Sequence, residues 1–297
     1  MAKKPRAYLI DSSIYIFRAW HVFDESICDA AGNPTNAVYG FSEFLFQLIQ
    51  QKKPEYIACA FDEHQTNSYR REIYAEYKAN RPPAPEELIL QFEYCRNFCR
   101  AIGIAEFGSN RYEADDIIGT LATRLRNEGF DITIVSADKD LTQLVLGKHD
   151  AWWDFARGNV LNDKGIEKHF GVKPENIADM LALAGDKVDN IPGIPGVGYK
   201  MASNILQKYN SVETILENIE NISKMKFRGS ARIQNLVNEH QHILPDNKKL
   251  TTIVTDALFD NHGQDIRWPG INENELHDLF DVLDISDARR RRWLSLA

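Results

Sequence analysis

Three short apolar segments of this chain each lead into an aspartate, and stretches with helical spacing separate them. These segments and aspartates are residues 7–10 with Asp11, 56–61 with Asp62, and 132–135 with Asp138. Residues 36–51, 86–102 and 113–127 instead repeat apolar side chains at helical intervals. Alternating strands and helices favour an α/β fold with a mostly parallel central sheet and flanking helices. Because such sheets place functional groups at the carboxyl ends of their strands, we expect the three aspartates to share one edge.

Nine acidic residues fall in five short motifs. The motifs are Leu9-Ile-Asp11-Ser, Ala60-Phe-Asp62, Tyr112-Glu113-Ala-Asp115-Asp116, Ser136-Ala-Asp138-Lys-Asp140 and Gly185-Asp186-Lys-Val-Asp189-Asn190. Any one of them alone also fits a simple cap of a helix or turn. Together they crowd one place, where two carboxylates about 4 Å apart repel by about 1 kcal/mol in water and about 4 kcal/mol at intermediate dielectric. Such a cluster calls for cations, and oxygen ligands without Cys or His favour magnesium or manganese over zinc.

The charge balance is consistent with a local acidic site in a nearly neutral body. The net charge is −8, from 35 basic and 43 acidic residues. Without the nine acids of the motifs, 34 acids face 35 bases. No apolar run reaches the roughly 18 residues that span a bilayer, and no signal peptide is recognisable, so we expect a cytoplasmic protein without a membrane partner. The four cysteines lack a metal-binding pattern and are expected to be reduced thiols.

In this order, the five motifs resemble the 5′ nuclease (flap endonuclease) superfamily over nearly the whole chain. They are most similar to the 5′→3′ exonuclease domain at the front of bacterial DNA polymerase I and to phage 5′ exonucleases. The resemblance implies a PIN-like nuclease core in a stand-alone bacterial exonuclease and a two-metal mechanism with magnesium, for which manganese can substitute. Asp11, Asp62 and Asp115 would hold one ion, with Glu113 nearby. The remaining assignments are Asp115, Asp138 and Asp140 for the second ion, and Asp116, Asp186 and Asp189 as outer-shell or weaker ligands.

Residues 69–82 form the stretch of the chain that is richest in basic and aromatic side chains. Arg70, Arg71, Lys78 and Arg81 could contact phosphates, and Tyr77 could stack on a base, although an exposed loop with solvated charges fits the composition equally well. The resemblance places this stretch in a helical arch at about residues 63–108. It also implies that Lys78 and Arg81 neutralise the scissile phosphate, and that Arg18 faces it. Lys78, Arg81 and Asp115 are therefore the expected catalytic residues.

Residues 191–200, Ile-Pro-Gly-Ile-Pro-Gly-Val-Gly-Tyr-Lys, resemble the hairpin of a helix-hairpin-helix motif. Closely spaced glycines let backbone N–H groups approach a phosphate, so Gly196, Gly198 and Lys200 are candidate DNA contacts. The resemblance adds a monovalent cation, potassium, at this hairpin. Met201 stands where family members often have Thr, which removes a hydroxyl contact but no backbone contact.

The expected organisation is an α/β nuclease core at residues 1–165 and a helical DNA-binding region at 166–297, with the helix-hairpin-helix at about 174–210. The resemblance implies a monomeric 5′→3′ exonuclease and flap endonuclease that acts on branched or flapped DNA with a free 5′ end, and on RNA–DNA primer junctions, in primer removal and repair. Two alternatives remain open. One is a catalytically weak DNA-junction binding protein, and the other is an RNA-directed nuclease.

Overall fold

The computed structural model describes residues 4–63 and 68–296, and its centre is one six-stranded sheet. The strands are β1 (Arg6–Asp11), β2 (Tyr56–Asp62), β3 (Ala105–Ser109), β4 (Asp131–Val135), β5 (Ala151–Asp154) and β6 (Asn159–Leu161). Their order across the sheet is β3-β2-β1-β4-β5-β6, and only β6 runs antiparallel to its neighbour. The predicted mostly parallel sheet is confirmed. The strands β3, β5 and β6 were not anticipated from the sequence.

Helices cover both faces of the sheet. They are α1 (Ser12–Val22), α2 (Asn36–Lys52), α3 (Tyr69–Ile73), α4 (Glu86–Ala101), α5 (Ala114–Asn127), α6 (Asp163–Phe170), α7 (Ile177–Ala184), α8 (Tyr199–Tyr209), α9 (Val212–Glu217), α10 (Ser230–His240), α11 (Leu244–Thr251), α12 (Glu273–Val282) and α13 (Asp287–Leu294). Successive strand residues point to opposite faces, so Leu9 and Ile10 of β1 belong to two different apolar clusters. Helix α5 packs in the first cluster, and α1, α2 and α4 pack in the second.

The two ends of the helical region belong to different parts of the molecule. Helices α7 and α8 bury Leu181 and Ile205 in the same apolar cluster as α5. Helix α13 instead returns to the opposite face of the sheet, where Trp293 packs edge-on against Phe46 and Phe98 with ring centroids 5.2 and 5.0 Å apart. Residues 273–294, which we expected in the DNA-binding region, therefore complete the α/β core.

The expected arch segment, at about residues 63–108, divides into parts with different surroundings. Residues 64–67 lie outside the described part of the chain. Residues 68–85 contain the short helix α3 followed by turns. From residue 86 onward the chain belongs to the core, because α4 buries Cys95, Phe98 and Cys99, and β3 pairs with β2. Among the described residues, no helix combines the length and the apolar character needed to cross a membrane.

Candidate active site

The order of the strands brings the predicted acids to one edge of the sheet. Strand β1 lies between β2 and β4, with Asp11 paired to Ala60 in register. Asp11 and Asp62 are the last residues of their strands, and Asp138 follows the end of β4 by three residues. Asp115 lies in the first turn of α5, whose Ala114 N–H donates to Asp62 Oδ1 over 2.9 Å. The expectation that these strand ends meet is confirmed.

Five acids at this edge, which we term the open carboxylates, accept no hydrogen bond from a lysine or arginine side chain among the described residues. They are Asp11, Asp62, Asp115, Asp138 and Asp140. Burial and the neighbouring Asp62 raise the pKa of Asp11 to about 7. Burial and Asp138 likewise raise the pKa of Asp115 well above its ordinary value, and that of Asp140 to about 7. These groups repel one another when charged, and proton uptake or cation binding relieves the repulsion.

A nearby lysine opposes the rise in pKa at both Asp62 and Asp140, but neither pKa falls below its ordinary value. Burial raises the pKa of Asp62 although the Lys78 ammonium opposes the shift. Lys139 Nζ lies 3.2 Å from Asp140 Oδ1, and that buried oxygen has no hydrogen-bond partner among the residues that the structure describes. Ser12 Oγ, next to Asp11 in the chain, is also buried without a partner. The edge therefore contains buried oxygens with unused bonding capacity.

The open carboxylates do not form a closed metal cage. In residues 4–63 and 68–296, no three Asp, Glu, His or Cys side chains are arranged so that they could enclose an ion. Magnesium does not require such a cage, because it usually keeps several water ligands and is held by only one or two carboxylates. An oxygen-only donor set with unpartnered buried oxygens fits a hard divalent cation.

Glu113 differs from the open carboxylates because cations surround it. Its Oε2 accepts hydrogen bonds from Lys78 Nζ at 2.7 Å and Tyr77 Oη at 3.1 Å, and Arg70 Nη1 lies 3.7 Å away. Burial opposes the charged form, but Lys78 and Arg70 outweigh it and lower the pKa of Glu113 to about 2. Glu113 is thus a carboxylate whose charge the protein itself neutralises, and its proposed place near a metal stays a prediction.

Asp116 requires a correction, because its oxygens are already in use. Arg70 donates to Asp116 Oδ2 from Nη1 over 2.6 Å and to Oδ1 from Nη2 over 2.8 Å. The backbone N–H groups of Glu113 and Val254 donate to the same carboxylate, which has no exposed surface. The prediction that Asp116 is a weaker metal ligand is replaced by a structural role, while an outer-shell position for it stays a prediction. The predicted DNA contact of Arg70 is corrected for the same reason, since its side chain is only 3% exposed.

Asp189, in the loop that follows α7, binds side chains of residues 69–82, which we term the basic segment. Arg81 Nη2 donates to Asp189 Oδ1 over 2.5 Å, and Tyr77 Oη, whose single proton is shared between Glu113 and Asp189, lies 3.1 Å from Oδ2. Lys78 N–H donates to the Asp189 carbonyl, and Lys78 has a left-handed backbone with φ 54°. Tyr77 is 2% exposed and cannot stack on a base from this position, which corrects that prediction. Lys78 and Arg81 remain candidate phosphate ligands.

Asp186 shapes the loop that carries Asp189. Its Oδ1 accepts the backbone N–H of Val188 over 2.7 Å, and its backbone pairs with Ile191 in both directions. Its Oδ2 accepts Lys139 Nζ over 2.8 Å, which lowers the pKa of Asp186 against the effect of burial. Lys139 was not singled out from the sequence, although it lies between two predicted ligands.

The helix-hairpin-helix consists of α7, the loop 185–198 and α8, and glycines fix its geometry. A Cβ on Gly193 would lie 2.1 Å from the Ala184 carbonyl oxygen, so only glycine permits this approach to the end of α7. Gly196 has φ 77°. A Cβ on it would lie 3.3 Å from the guanidinium of Arg232, an exposed residue that the sequence did not single out. Gly198 caps α8 and has open space around it.

Three further predicted DNA contacts are separate from the acidic edge. Lys200 is exposed in the first turn of α8, and Arg18 is exposed on α1. Arg71 is half-buried in α3, where its neighbour Arg70 is committed to Asp116. Among the described residues, no side-chain hydrogen bond or ion pair joins any of the three to the open carboxylates, and their roles stay predictions.

A parallel sheet with clustered carboxylates at its strand ends, joined to a helix-hairpin-helix, defines a nuclease of the α/β class. Family models agree over most of the chain. The 5′-3′ exonuclease N-terminal resolvase-like domain matches residues 6–171, and the 5′-3′ exonuclease C-terminal SAM fold matches residues 172–274. The chain belongs to the 5′-3′ exonuclease family, and it is a hydrolase.

Individual relatives agree with this assignment. The chain is 42% identical over 217 residues to a 5′-3′ exonuclease of Aquifex aeolicus, which covers 73% of this chain and 74% of that protein. It is 34% identical over 300 residues to DNA polymerase I of Mycobacterium leprae, covering 99% of this chain but only 32% of the polymerase. The chain thus spans about a third of the polymerases it matches. In fold, it resembles the bacteriophage T5 D15 flap endonuclease with a TM-score of 0.66 and 20% identity, covering 94% of this chain and 99% of the other.

Proposed function

We propose that this nuclease is a divalent-metal-dependent 5′→3′ exonuclease and flap endonuclease that acts on branched or flapped DNA with a free 5′ end. The observation that carries the proposal is the group of open carboxylates at the sheet edge, beside the basic segment 69–82. The T5 D15 flap endonuclease, which shares the fold, was crystallised in a pseudo-enzyme-product complex with DNA and metal ions. That complex supports a nucleic-acid substrate and a metal cofactor for this chain.

The oxygen-only donor set suits a hard divalent cation, and we propose two magnesium ions, for which manganese can substitute. Asp11, Asp62 and Asp115 would surround one ion, and Asp115, Asp138 and Asp140 the other, with each set binding partly through water ligands. Bound divalent ions lower the pKa of water and stabilise charge on the attacking and leaving oxygens of a phosphodiester. The chain offers no Ser-His-Asp or Cys-His arrangement in its motifs, so water is the expected nucleophile.

The protein's own cations supply the rest of the electrostatic environment. Lys78 and Arg81 are bound to Glu113 and Asp189, so a scissile phosphate must compete with these carboxylates for them. Their place next to the open carboxylates suits them to stabilise negative charge that develops on the phosphate. Asp115, Lys78 and Arg81 are therefore the proposed catalytic residues.

The hairpin is proposed to bind the duplex away from the cleavage site. Backbone N–H groups near Gly196 and Gly198, the ammonium of Lys200 and a potassium ion would contact phosphates without reading the sequence. Arg18 and Arg71 are proposed as additional phosphate contacts nearer the basic segment. We propose that the protein acts as a cytoplasmic monomer in the removal of RNA primers, at RNA–DNA primer junctions, and in DNA repair.

The most direct test is cleavage of a 5′-labelled flap with magnesium and with chelator. We expect short 5′ products only with the metal, and a slower reaction on single-stranded RNA of the same sequence. Binding without cleavage would favour the alternative of a DNA-junction binding protein. Faster cleavage of the RNA would favour an RNA-directed nuclease. The Asp115→Asn variant controls for a contaminating nuclease.

A further inference from the structure

Lys139 bridges two acids that come from different parts of the fold. It follows β4 in the α/β core, and its side chain is 33% exposed. Its Nζ lies 3.2 Å from Asp140 Oδ1 in the same core motif and 2.8 Å from Asp186 Oδ2 in the loop after α7. One ammonium therefore contacts an open carboxylate and the loop of the helix-hairpin-helix.

The loop at residues 185–191 has a conformation that depends on Asp186. Oδ1 of Asp186 accepts the N–H groups of Val188 and Asp189, and its backbone pairs with Ile191. The same loop presents Asp189 to Lys78 and Arg81. We therefore expect a change in the position of Asp186 to move Asp189 as well, and with it the partner of Lys78 and Arg81.

The lysine also lies against the helix that follows the hairpin. Its Nζ is 5.8 Å from the centre of the Tyr199 ring, and Tyr199 is the first residue of α8. A cation over an aromatic face is attracted to it, weakly where both groups are partly exposed. Lys139 thus contacts the hairpin on both sides, through Asp186 before it and Tyr199 after it.

We propose that Lys139 is a positioning residue and a built-in cation, which offsets part of the negative charge of Asp140 and Asp186 and fixes the hairpin relative to the open carboxylates. This inference rests on the proposed function, since it assumes that divalent ions bind at the same edge. Without the lysine, the two acids lose their shared cation, and a divalent ion has more negative charge to neutralise. A bound ion can replace the charge of Lys139. It cannot replace the side chain that connects the segment after β4 to the loop at residues 185–191.

The first test compares thermal stability with and without metal in Lys139→Met, which keeps much of the side-chain length but removes the charge. In chelator, we expect a melting temperature lower than wild type by about 2–4 °C. Saturating magnesium should close most of that gap, and half-saturation should need about fivefold less magnesium. Lys139→Arg should behave as wild type. Lys164→Met is the matched control, because this exposed lysine has no ion pair among the described residues. An equal loss with and without magnesium would mean a packing role only and would overturn the built-in cation.

The second test separates positioning from binding. At saturating magnesium and enzyme, single-turnover cleavage of a flap by Lys139→Met should fall about tenfold or more, as expected for a displaced contact, while the affinity for plain duplex stays within twofold of wild type. Lys139→Arg should restore the rate. An unchanged rate in Lys139→Met would reject the positioning role. Failure of the proposed function would look different, since wild type itself would then show neither cleavage nor a magnesium-dependent rise in melting temperature.

Discussion

Asp115 and Asp116 are adjacent in the first turn of α5, but they lie in opposite electrostatic surroundings. Asp115 is half-buried among Asp11, Asp62 and Asp138, and its pKa is raised well above the ordinary value by burial and these neighbours. Asp116 is fully buried in a bidentate ion pair with Arg70. Two carboxylates one residue apart leave a helix in directions about 100° apart, so one faces the sheet edge and the other the interior.

The same difference divides all nine acids of the motifs. The open carboxylates accept no hydrogen bond from lysine or arginine in the described part of the chain. The other four, which we term the paired carboxylates, each accept a hydrogen bond from lysine or arginine: Glu113, Asp116, Asp186 and Asp189. An acidic cluster can thus contain lysine and arginine side chains that neutralise some of its carboxylates. The open carboxylates are the ones for which we propose added cations.

The largest expected effect concerns an open carboxylate. Asp115→Asn should lower single-turnover cleavage by about 10³-fold, because it removes a proposed ligand shared by both ions and with it the stabilisation of charge in the transition state. Binding of the flap should stay within a few-fold. Asp163→Asn, at an exposed acid of α6, is the control. Undiminished cleavage by Asp115→Asn would remove the distinction between the two groups.

The neighbouring paired carboxylate should respond in stability instead. Asp116→Asn should lower the free energy of unfolding by about 3 kcal/mol, because it leaves the buried Arg70 without its charged partner. Denaturant unfolding measures this loss, and adding Arg70→Met to the variant should cost less than the sum of the single changes. A stable Asp116→Asn protein that has lost cleavage would place Asp116 among the open carboxylates.

Lys78 tests whether a counter-charge also serves the reaction. Lys78→Ala should slow single-turnover cleavage by about 10²-fold, the cost of removing one transition-state contact. It should also raise the pKa of Glu113 from about 2, since Lys78 is the main group that lowers it. The affinity for flapped DNA separates the two roles. If only affinity falls and the rate at saturation does not, Lys78 binds substrate without assisting cleavage.

The smallest expected effect is on the pH dependence of stability without metal. The pKa of Asp11 is about 7 in the folded protein, above its ordinary value of 3.8, so the folded state binds more protons than the unfolded chain between these values. Stability in chelator should therefore fall as pH rises from about 4 to 7, by at least about 1 kcal/mol. Glu113 acts oppositely, and its contribution is lost only as pH falls from 4.5 towards 2. Melting temperatures at pH 5 and 8 in chelator measure the first change, and saturating magnesium should reduce it.

The sequence predicted the positions of the acids better than their partners. Asp11 and Asp62 end predictable strands, and parallel strand ends meet whatever the loops do. The partner of Asp116 lies 46 residues away in the chain, and nothing in the local pattern of Arg70 indicates whether its side chain points inward. Strand β3 was missed because Ala105–Ser109 contains no β-branched residue. Lys139 could have been singled out from the sequence, because it lies between two proposed metal ligands, Asp138 and Asp140.

The hydrogen bonds around the Asp116 carboxylate also have a consequence for how the protein is made. The carboxylate joins Arg70, the start of α5 and the backbone of Val254, which is 138 residues further along the chain. Contacts between such distant residues form late, because closing the long loop costs entropy before the contacts repay it. On the ribosome, this set of hydrogen bonds cannot be completed until residue 254 has emerged. All nine acids have been synthesised by then. A nascent chain therefore contains all nine acids before residue 254, whose backbone completes the hydrogen bonds that hold Asp116, has been added.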